Sequence, residues 1–195
     1  MTYGEILNIL NSRLKRAETN VDAETLAALR EIGDLANWPC LHIGDEVDLI
    51  AGDMVIAYPA NLRALDAIFL SDASRDYPPL NKADWLDILR SRVSNTGRSR
   101  PTRFCQRGGK FELDAECDAA YTATVYHWRH HPAGETILFP DEMAEAVYEL
   151  TMSVYLEGKK MIPEAERHRQ LAMKEVARFL PEADTKTLNS VYKDV

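Results

Sequence analysis

The chain has little cysteine and no long apolar run. Its 195 residues include three cysteines, Cys40, Cys105 and Cys117, an odd number without close pairing that is typical of a reducing compartment. The longest apolar segments are a few residues, whereas a membrane-spanning helix needs about 20. The first 16 residues place their basic side chains after the apolar ones, the reverse of a secretory signal. We therefore expect a cytosolic origin and no membrane partner.

Sequence motifs of catalysis and of cofactor binding are also missing. The chain contains no G-x-S-x-G, H-E-x-x-H, P-loop or G-x-G-x-x-G pattern, which would mark a hydrolase, a zinc protease or a nucleotide site. Cys40 and His42 could supply two metal ligands, but no second pair follows at a matching spacing. We predict no catalytic residue, no cofactor and no metal.

Three histidines near the end of a predicted strand are the strongest catalytic candidates. His127 and His130 point to opposite sides of an extended chain, and Pro132 ends the strand beside His131. Side chains that do not converge cannot share a proton-transfer step. A small histidine-dependent enzyme is kept as the alternative to a non-catalytic protein.

The charge is uneven along the chain. The net charge is −8, yet residues 90–110 contain seven cations and no acid, which leaves −15 for the remainder. An acidic protein repels nucleic acid overall, whereas a basic loop can touch DNA or an acidic neighbour, or can simply be solvated. A DNA-binding regulatory module is the weaker alternative. The candidate basic patch consists of Arg90, Arg92, Arg98, Arg100, Arg103, Arg107 and Lys110.

Helical periodicity marks the two ends of the chain, and a short helix is also predicted after Asn81 or Asp84. Residues 2–16 carry apolar side chains at helical spacing after a capping-box pair, Thr2 and Glu5. A second helix begins after Asp22, and two more follow Pro140 and Pro163. The pattern predicts an α+β protein in which N- and C-terminal helices form a bundle around an inserted antiparallel β-sheet. We expect one domain, with helical parts 1–40 and 138–180, a β-rich insertion 41–135 and a tail 181–195.

The insertion contains a predicted β-meander at residues 100–133. If Gly108 and Gly109 form a two-residue turn, Phe104 faces Leu113 on one side, while Arg103 faces Asp114 and Cys105 faces Glu112 on the other. Apolar and charged pairs thus fall on opposite sides. A third strand at 121–129 has apolar residues on both faces. Both faces should therefore be covered, by helices or by another subunit.

The order of these elements resembles the head-to-tail adaptor (connector) proteins of tailed bacteriophages. The likeness covers most of the chain and depends on R-P-T-R-F at 100–104, G-G-K-F-E-L at 108–113 and the tyrosine-rich strand at 121–128, followed by two helices ending in R-H-R-Q-L-A-M-K. The resemblance implies a ring of about twelve copies beneath the portal protein, in the virion after assembly in the host cytoplasm. Such a ring extends the DNA channel, passes genomic DNA without sequence-specific binding and offers a platform to tail or nozzle proteins. In such a ring the basic patch at residues 90–110 could contact a neighbouring copy or an acidic portal surface.

The resemblance also assigns a role to the C-terminal tail. Leu188, Val191 and Tyr192 recur at i, i+3 and i+4 in an otherwise polar segment. C-terminal segments of related adaptors often reach the portal, which makes these three residues the candidate portal-docking patch. A disordered tail is the alternative.

Overall fold

A computed structural model describes residues 1–14, 18, 20–94, 97–134 and 136–180. Within them the chain forms five α-helices, seven β-strands and two 3-10 turns, so the predicted α+β class with an inserted sheet is confirmed. The chain divides into two compact units. One comprises His42–Arg129, and the other comprises the segments before and after it. The three candidate docking residues of the tail lie outside the described residues.

The helical unit joins both ends of the chain in one core. Its four helices contribute Ile6, Leu29, Val147 and Val176, all buried to 1% exposure or less. Tyr148 is buried beside them, and the Arg13 guanidinium lies 4.2 Å from the centre of its ring. Helices with one apolar stripe gain stability by burying it against one another. The helices are α1 Tyr3–Leu14, α2 Asp22–Leu35, α4 Ala144–Gly158 and α5 Ile162–Val176.

The capping box at the start of α1 is present. The backbone N–H of Thr2 donates to Glu5 Oε2 at 2.7 Å, and the N–H of Glu5 donates to Thr2 Oγ1 at 3.3 Å. These reciprocal bonds satisfy two donors that the first helical turn leaves without partners. The amino terminus of Met1 lies 2.7 Å from Asp141, whose carboxylate raises its pKa.

The β unit contains two sheets and one helix. Its elements are β1 His42–Leu49, β2 Val55–Ala57, β3 Leu62–Ser71, β4 Asn81–Lys82, α3 Trp85–Ser94, β5 Arg103–Arg107, β6 Lys110–Leu113 and β7 Tyr121–Arg129. An antiparallel sheet has the order β1-β7-β3, and a mixed sheet has the order β2-β6-β5-β4. Leu49, Ile68, Phe111 and Val125 lie in one apolar core, and each is at most 3% exposed.

The predicted hairpin register is confirmed. Phe104 pairs with Leu113 and Cys105 pairs with Glu112 across β5 and β6. Gly108 and Gly109 form the turn with φ of +57° and +76°. Two consecutive residues at positive φ form a type I′ turn, which matches the twist of a two-residue hairpin and favours glycine.

The prediction of a three-stranded meander is wrong. β7 does not continue from β6; it lies in the other sheet, between β1 and β3. The second edge of β6 is occupied by β2, so no place remains beside it. The nine residues of β7 instead pair along their length with the eight residues of β1 and the ten of β3, which satisfies more backbone groups than the four-residue β6 could.

Candidate interaction surfaces

The seven cations of the candidate basic patch are spread over α3, β5, β6 and the connections between them. Three of them, Arg90, Arg98 and Arg107, are exposed, and the other four are partly buried. The structure therefore does not present the segment as one uniform positive surface. Whether it meets a neighbouring copy or the portal stays a prediction.

Arg92 ties α3 to the hairpin. Its Nη2 lies 2.9 Å from Glu112 Oε2, and its Nε donates to the Leu113 carbonyl at 2.8 Å. Lys110 Nζ reaches the other oxygen of Glu112 at 3.1 Å. Burial raises the pKa of Glu112, but the contacts with Arg92 and Lys110 outweigh it and leave the pKa below its ordinary value. Two cations of the segment thus share one buried carboxylate.

A second carboxylate, Asp114, holds the start of β5. It accepts the backbone N–H of Thr102 at 2.9 Å and of Arg103 at 3.1 Å, and its Oδ2 lies 3.3 Å from Arg103 Nε. Arg103 also donates to Ser91 Oγ on α3 at 3.0 Å. These bonds fix the loop before β5 against the helix, so Arg103 has a structural use inside the unit.

The remaining cations pair or stack near the surface. Arg90 lies 3.2 Å from Asp87, and Arg98 lies 3.5 Å from Glu116. Arg100 and Arg107 lie over the rings of Tyr77 and Trp85, 4.3 and 4.2 Å from the ring centres. The register predicted from the sequence already placed Arg103 opposite Asp114, but the pairing of Arg92, Arg98 and Lys110 with nearby acids was not predicted. Directly after the basic segment, the sequence has acidic residues at the alternate positions 112, 114 and 116. This pattern indicates that β6 and the residues after it supply the carboxylates that pair with the cations.

Helix α3 has an apolar surface on the side away from the hairpin. Leu86, Leu89 and Val93 recur at i, i+3 and i+7 and are 64%, 36% and 79% exposed. Arg90 lies on the border of this stripe, while Ile88 and Ser91 on the other side are buried. We call Leu86, Leu89, Arg90 and Val93 the α3 ridge. A helix with apolar residues on two sides has one side left for a partner.

The three-stranded sheet buries one face and leaves the other accessible. Tyr121, Ala123 and Val125 of β7 are buried, whereas Tyr126 is 38% exposed. The ring of Tyr126 lies across Gly44 of β1, where an added Cβ would approach ring atoms to 3.0 Å. Glycine at this position therefore allows the aromatic ring to lie flat on the sheet.

Acidic residues surround the aromatic ones on this accessible face. Phe69 contacts Tyr126 edge-on, with ring centres 5.7 Å apart. Glu46 and Asp48 on β1 face Thr124 and Thr122 on β7, and both carboxylates are exposed. Further along the face, His42 pairs with Asp66 at 3.1 Å. We call Glu46, Asp48, Phe69, Thr124 and Tyr126 the aromatic–acidic face. The sequence predicted apolar residues on both sides of β7, but not which side remains accessible.

The three histidines of the catalytic alternative have separate surroundings. His127 is fully buried, and neither ring nitrogen has a hydrogen-bond partner among the described residues; Asp45 lies 3.7 Å from its Nε2. Burial lowers the pKa of His127. His130 lies 3.4 Å from Asp34. His131 is oriented by the Pro132 carbonyl at Nδ1 and by the Leu138 N–H at Nε2, a pattern that fits the neutral ring.

The cysteines are free thiols with little thiolate character. Burial raises the pKa of Cys40, of Cys105 and of Cys117, the last to about 11. A thiol with a raised pKa is a poor nucleophile and a poor metal ligand at neutral pH. Within the described ranges, no group of three or more histidine, cysteine or carboxylate side chains could hold a metal ion.

The chain matches neither a protein-family model nor a curated protein sequence. In the part of the chain that the structure describes, no helix is both long and apolar enough to cross a membrane.

Proposed function

We propose that this protein is a structural component of the neck of a tailed bacteriophage. In this role about twelve copies form a ring beneath the portal protein, at the head–tail interface. The ring extends the DNA channel and offers a platform to tail or nozzle proteins. It catalyses no reaction and needs no cofactor.

The observation that carries the proposal is the arrangement of helices and strands along the chain. Helices from both ends share one core, and the residues between them form a separate β unit. This is the order of elements on which the resemblance to head-to-tail adaptors depends. Fold class does not define function, so the accessible surfaces supply the second argument.

Two accessible apolar surfaces support a role in assembly. The α3 ridge and the aromatic–acidic face both lie in the β unit. Exposed apolar surface of this kind is typical of protein–protein contacts. A ring needs two different complementary surfaces on each copy, and the β unit has two.

Charge supports a channel that DNA passes without binding. The net charge is −8, and phosphate contacts dominate DNA affinity. Five of the seven cations in residues 90–110 pair with carboxylates of the same unit. These pairs leave few cations for phosphate contacts, which argues against a DNA-binding module. The enzyme alternative is weakened because the ring of His127 is fully buried.

The proposal is tested on phage particles rather than on the isolated chain. We expect mass spectrometry of purified particles to find this protein, and cryo-electron microscopy of the neck to show a ring between the portal and the tail that accommodates this fold. Deleting its gene should leave filled heads without tails and no infectious progeny. Supplying the wild-type chain in trans should restore infectivity. Infectious, tailed particles from the deletion strain would refute the function.

A further inference from the structure

We propose that neighbouring copies of this chain contact each other by packing the α3 ridge of one copy onto the aromatic–acidic face of the next. The proposal deepens the ring function above by assigning the two surfaces through which copies meet.

The ridge and the face can pack as a helix on a sheet. An α-helix with an exposed apolar stripe and a sheet with an accessible apolar face are the two halves of a helix-on-sheet layer, a standard arrangement in protein cores. On the ridge, Leu86 and Val93 are more than half exposed. On the sheet, Tyr126 is exposed and Phe69 is partly buried beside it. Aromatic side chains are typical anchors of protein interfaces.

The two surfaces are also complementary in shape. A cavity of about 360 Å³ adjoins the aromatic–acidic face and is lined by Phe69, Thr124, Tyr126 and Asp76, among others. The cavity is large enough for a leucine side chain. The ridge offers two, Leu86 and Leu89, with Val93 one to two turns further along the helix. A convex row of aliphatic side chains therefore has a concave aromatic receptor on the same unit of another copy.

The two surfaces are also complementary in charge. Arg90 on the ridge is 77% exposed, and its present partner Asp87 is 49% exposed. Arg107 lies over Trp85 of the same helix. The aromatic–acidic face carries Glu46 and Asp48, and Asp76 lines its cavity. Opposite charges around an apolar centre favour this pairing over ridge-to-ridge or face-to-face contacts, which would bring like charges together.

The ridge and the face differ, so each copy can use its ridge toward one neighbour and its face toward the other. Contacts of this heterologous kind close into rings when the rotation between copies is right. Each single contact is small, because the ridge has only three apolar side chains. Closure strengthens the assembly, since every copy is held by two contacts at once.

Disulfide trapping with the full chain tests the contact even if it is weak in solution. In a Cys40→Ser background, one chain carries Val93→Cys and an affinity tag, and an untagged chain carries Thr124→Cys. After mixing and mild oxidation at high concentration, we expect the mixed dimer to exceed either homodimer several-fold. The matched control is Ile162→Cys, another exposed aliphatic position at 58%, which lies in the helical unit. Equal trapping of Val93→Cys by itself or by Ile162→Cys would overturn the proposal.

A second set of variants tests the chemistry of the contact. Adding Leu86→Glu to the Val93→Cys chain should reduce the mixed disulfide at least fivefold, because it places a carboxylate against an acidic face. Leu171→Glu on α5, where the native residue is 42% exposed, should leave the yield unchanged. Circular dichroism checks that both chains are folded. An unchanged yield with folded Leu86→Glu protein would refute the role of the ridge.

The same cysteine variants separate this inference from the proposed function. If the protein occupies the particle neck but the Val93–Thr124 disulfide does not form there, the contact is wrong and the function stands. If the disulfide forms in solution and the protein is absent from particles, the function is wrong and the contact stands.

Discussion

Replacing Arg92 by methionine tests how the basic segment is used. The change keeps most of the aliphatic length of the side chain but removes the hydrogen bonds to Glu112 and to the Leu113 carbonyl, at 2.9 and 2.8 Å. Arg92 and Glu112 are only 18% and 11% exposed, so the loss is that of a largely buried pair. Lys110 remains beside Glu112 and limits the damage.

The expected loss is about 3 kcal/mol in the free energy of unfolding. A hydrogen bond to a charged group contributes about 1.5–3 kcal/mol, and breaking a buried ion pair costs about 3–5 kcal/mol when the remaining charge has no partner. The lower end of the range for a buried ion pair, about 3 kcal/mol, applies because Lys110 still contacts Glu112. For a chain of this length the loss corresponds to a fall in Tm of about 6–12 °C. Equilibrium urea unfolding at pH 7 measures it.

Arg90→Met is the matched control on the same helix. Arg90 and its partner Asp87 are 77% and 49% exposed, and an exposed pair of this kind contributes about 0–0.5 kcal/mol. The double variant Arg92→Met/Glu112→Gln should be more stable than Arg92→Met, since it leaves no buried carboxylate with a missing partner. Equal losses for Arg92→Met and Arg90→Met would refute the reasoning.

The penalty of Arg92→Met should also depend on pH. The pKa of Glu112 is depressed in the folded protein, so its ion pairs contribute fully above its ordinary pKa of about 4.5 and are lost as the pH falls through the depressed value. The difference between the wild type and Arg92→Met should therefore shrink as the pH is lowered through that range. A constant difference would show that the destabilisation comes from packing alone.

Three further predictions concern other parts of the chain. Because burial lowers the pKa of His127, protonation of this residue favours the unfolded chain below about pH 6.5. The stability of His127→Leu relative to wild type, measured by urea unfolding, should therefore rise as the pH is lowered from 8 to 5. A pH-independent difference would contradict this. Phe111→Asp should prevent folding of the β unit, because Phe111 is fully buried between Tyr58 and Phe104, and amide hydrogen exchange would detect the loss of protection; Ile50→Asp, at a site 67% exposed, is its control. Deleting residues 182–195 should preserve the described core, which extends to Leu180, and should weaken attachment to the portal in a pull-down; undiminished attachment would argue against the docking role of Leu188, Val191 and Tyr192.

Local chemistry made several features predictable from the sequence. The Thr2–Glu5 capping box and the helices at both ends depend on side chains three or four residues apart. The β5–β6 register follows from a Gly-Gly turn that lies next to both strands, because a two-residue loop leaves only one pairing. In each case the interacting residues are close in sequence, so the pattern contains the needed information.

Only the tertiary structure determined where the long-range partners lie. Strand β7 was predicted correctly as a strand but placed in the wrong sheet, because nothing near it in sequence shows that β2 occupies the free edge of β6. Apart from the Arg103–Asp114 pair, the cations looked like one basic patch until folding brought Glu112 and Glu116 against them. The α3 ridge and the aromatic–acidic face are likewise properties of the folded chain. Apolar residues on both sides of an element are visible in the sequence, but which side remains accessible depends on what the rest of the chain covers.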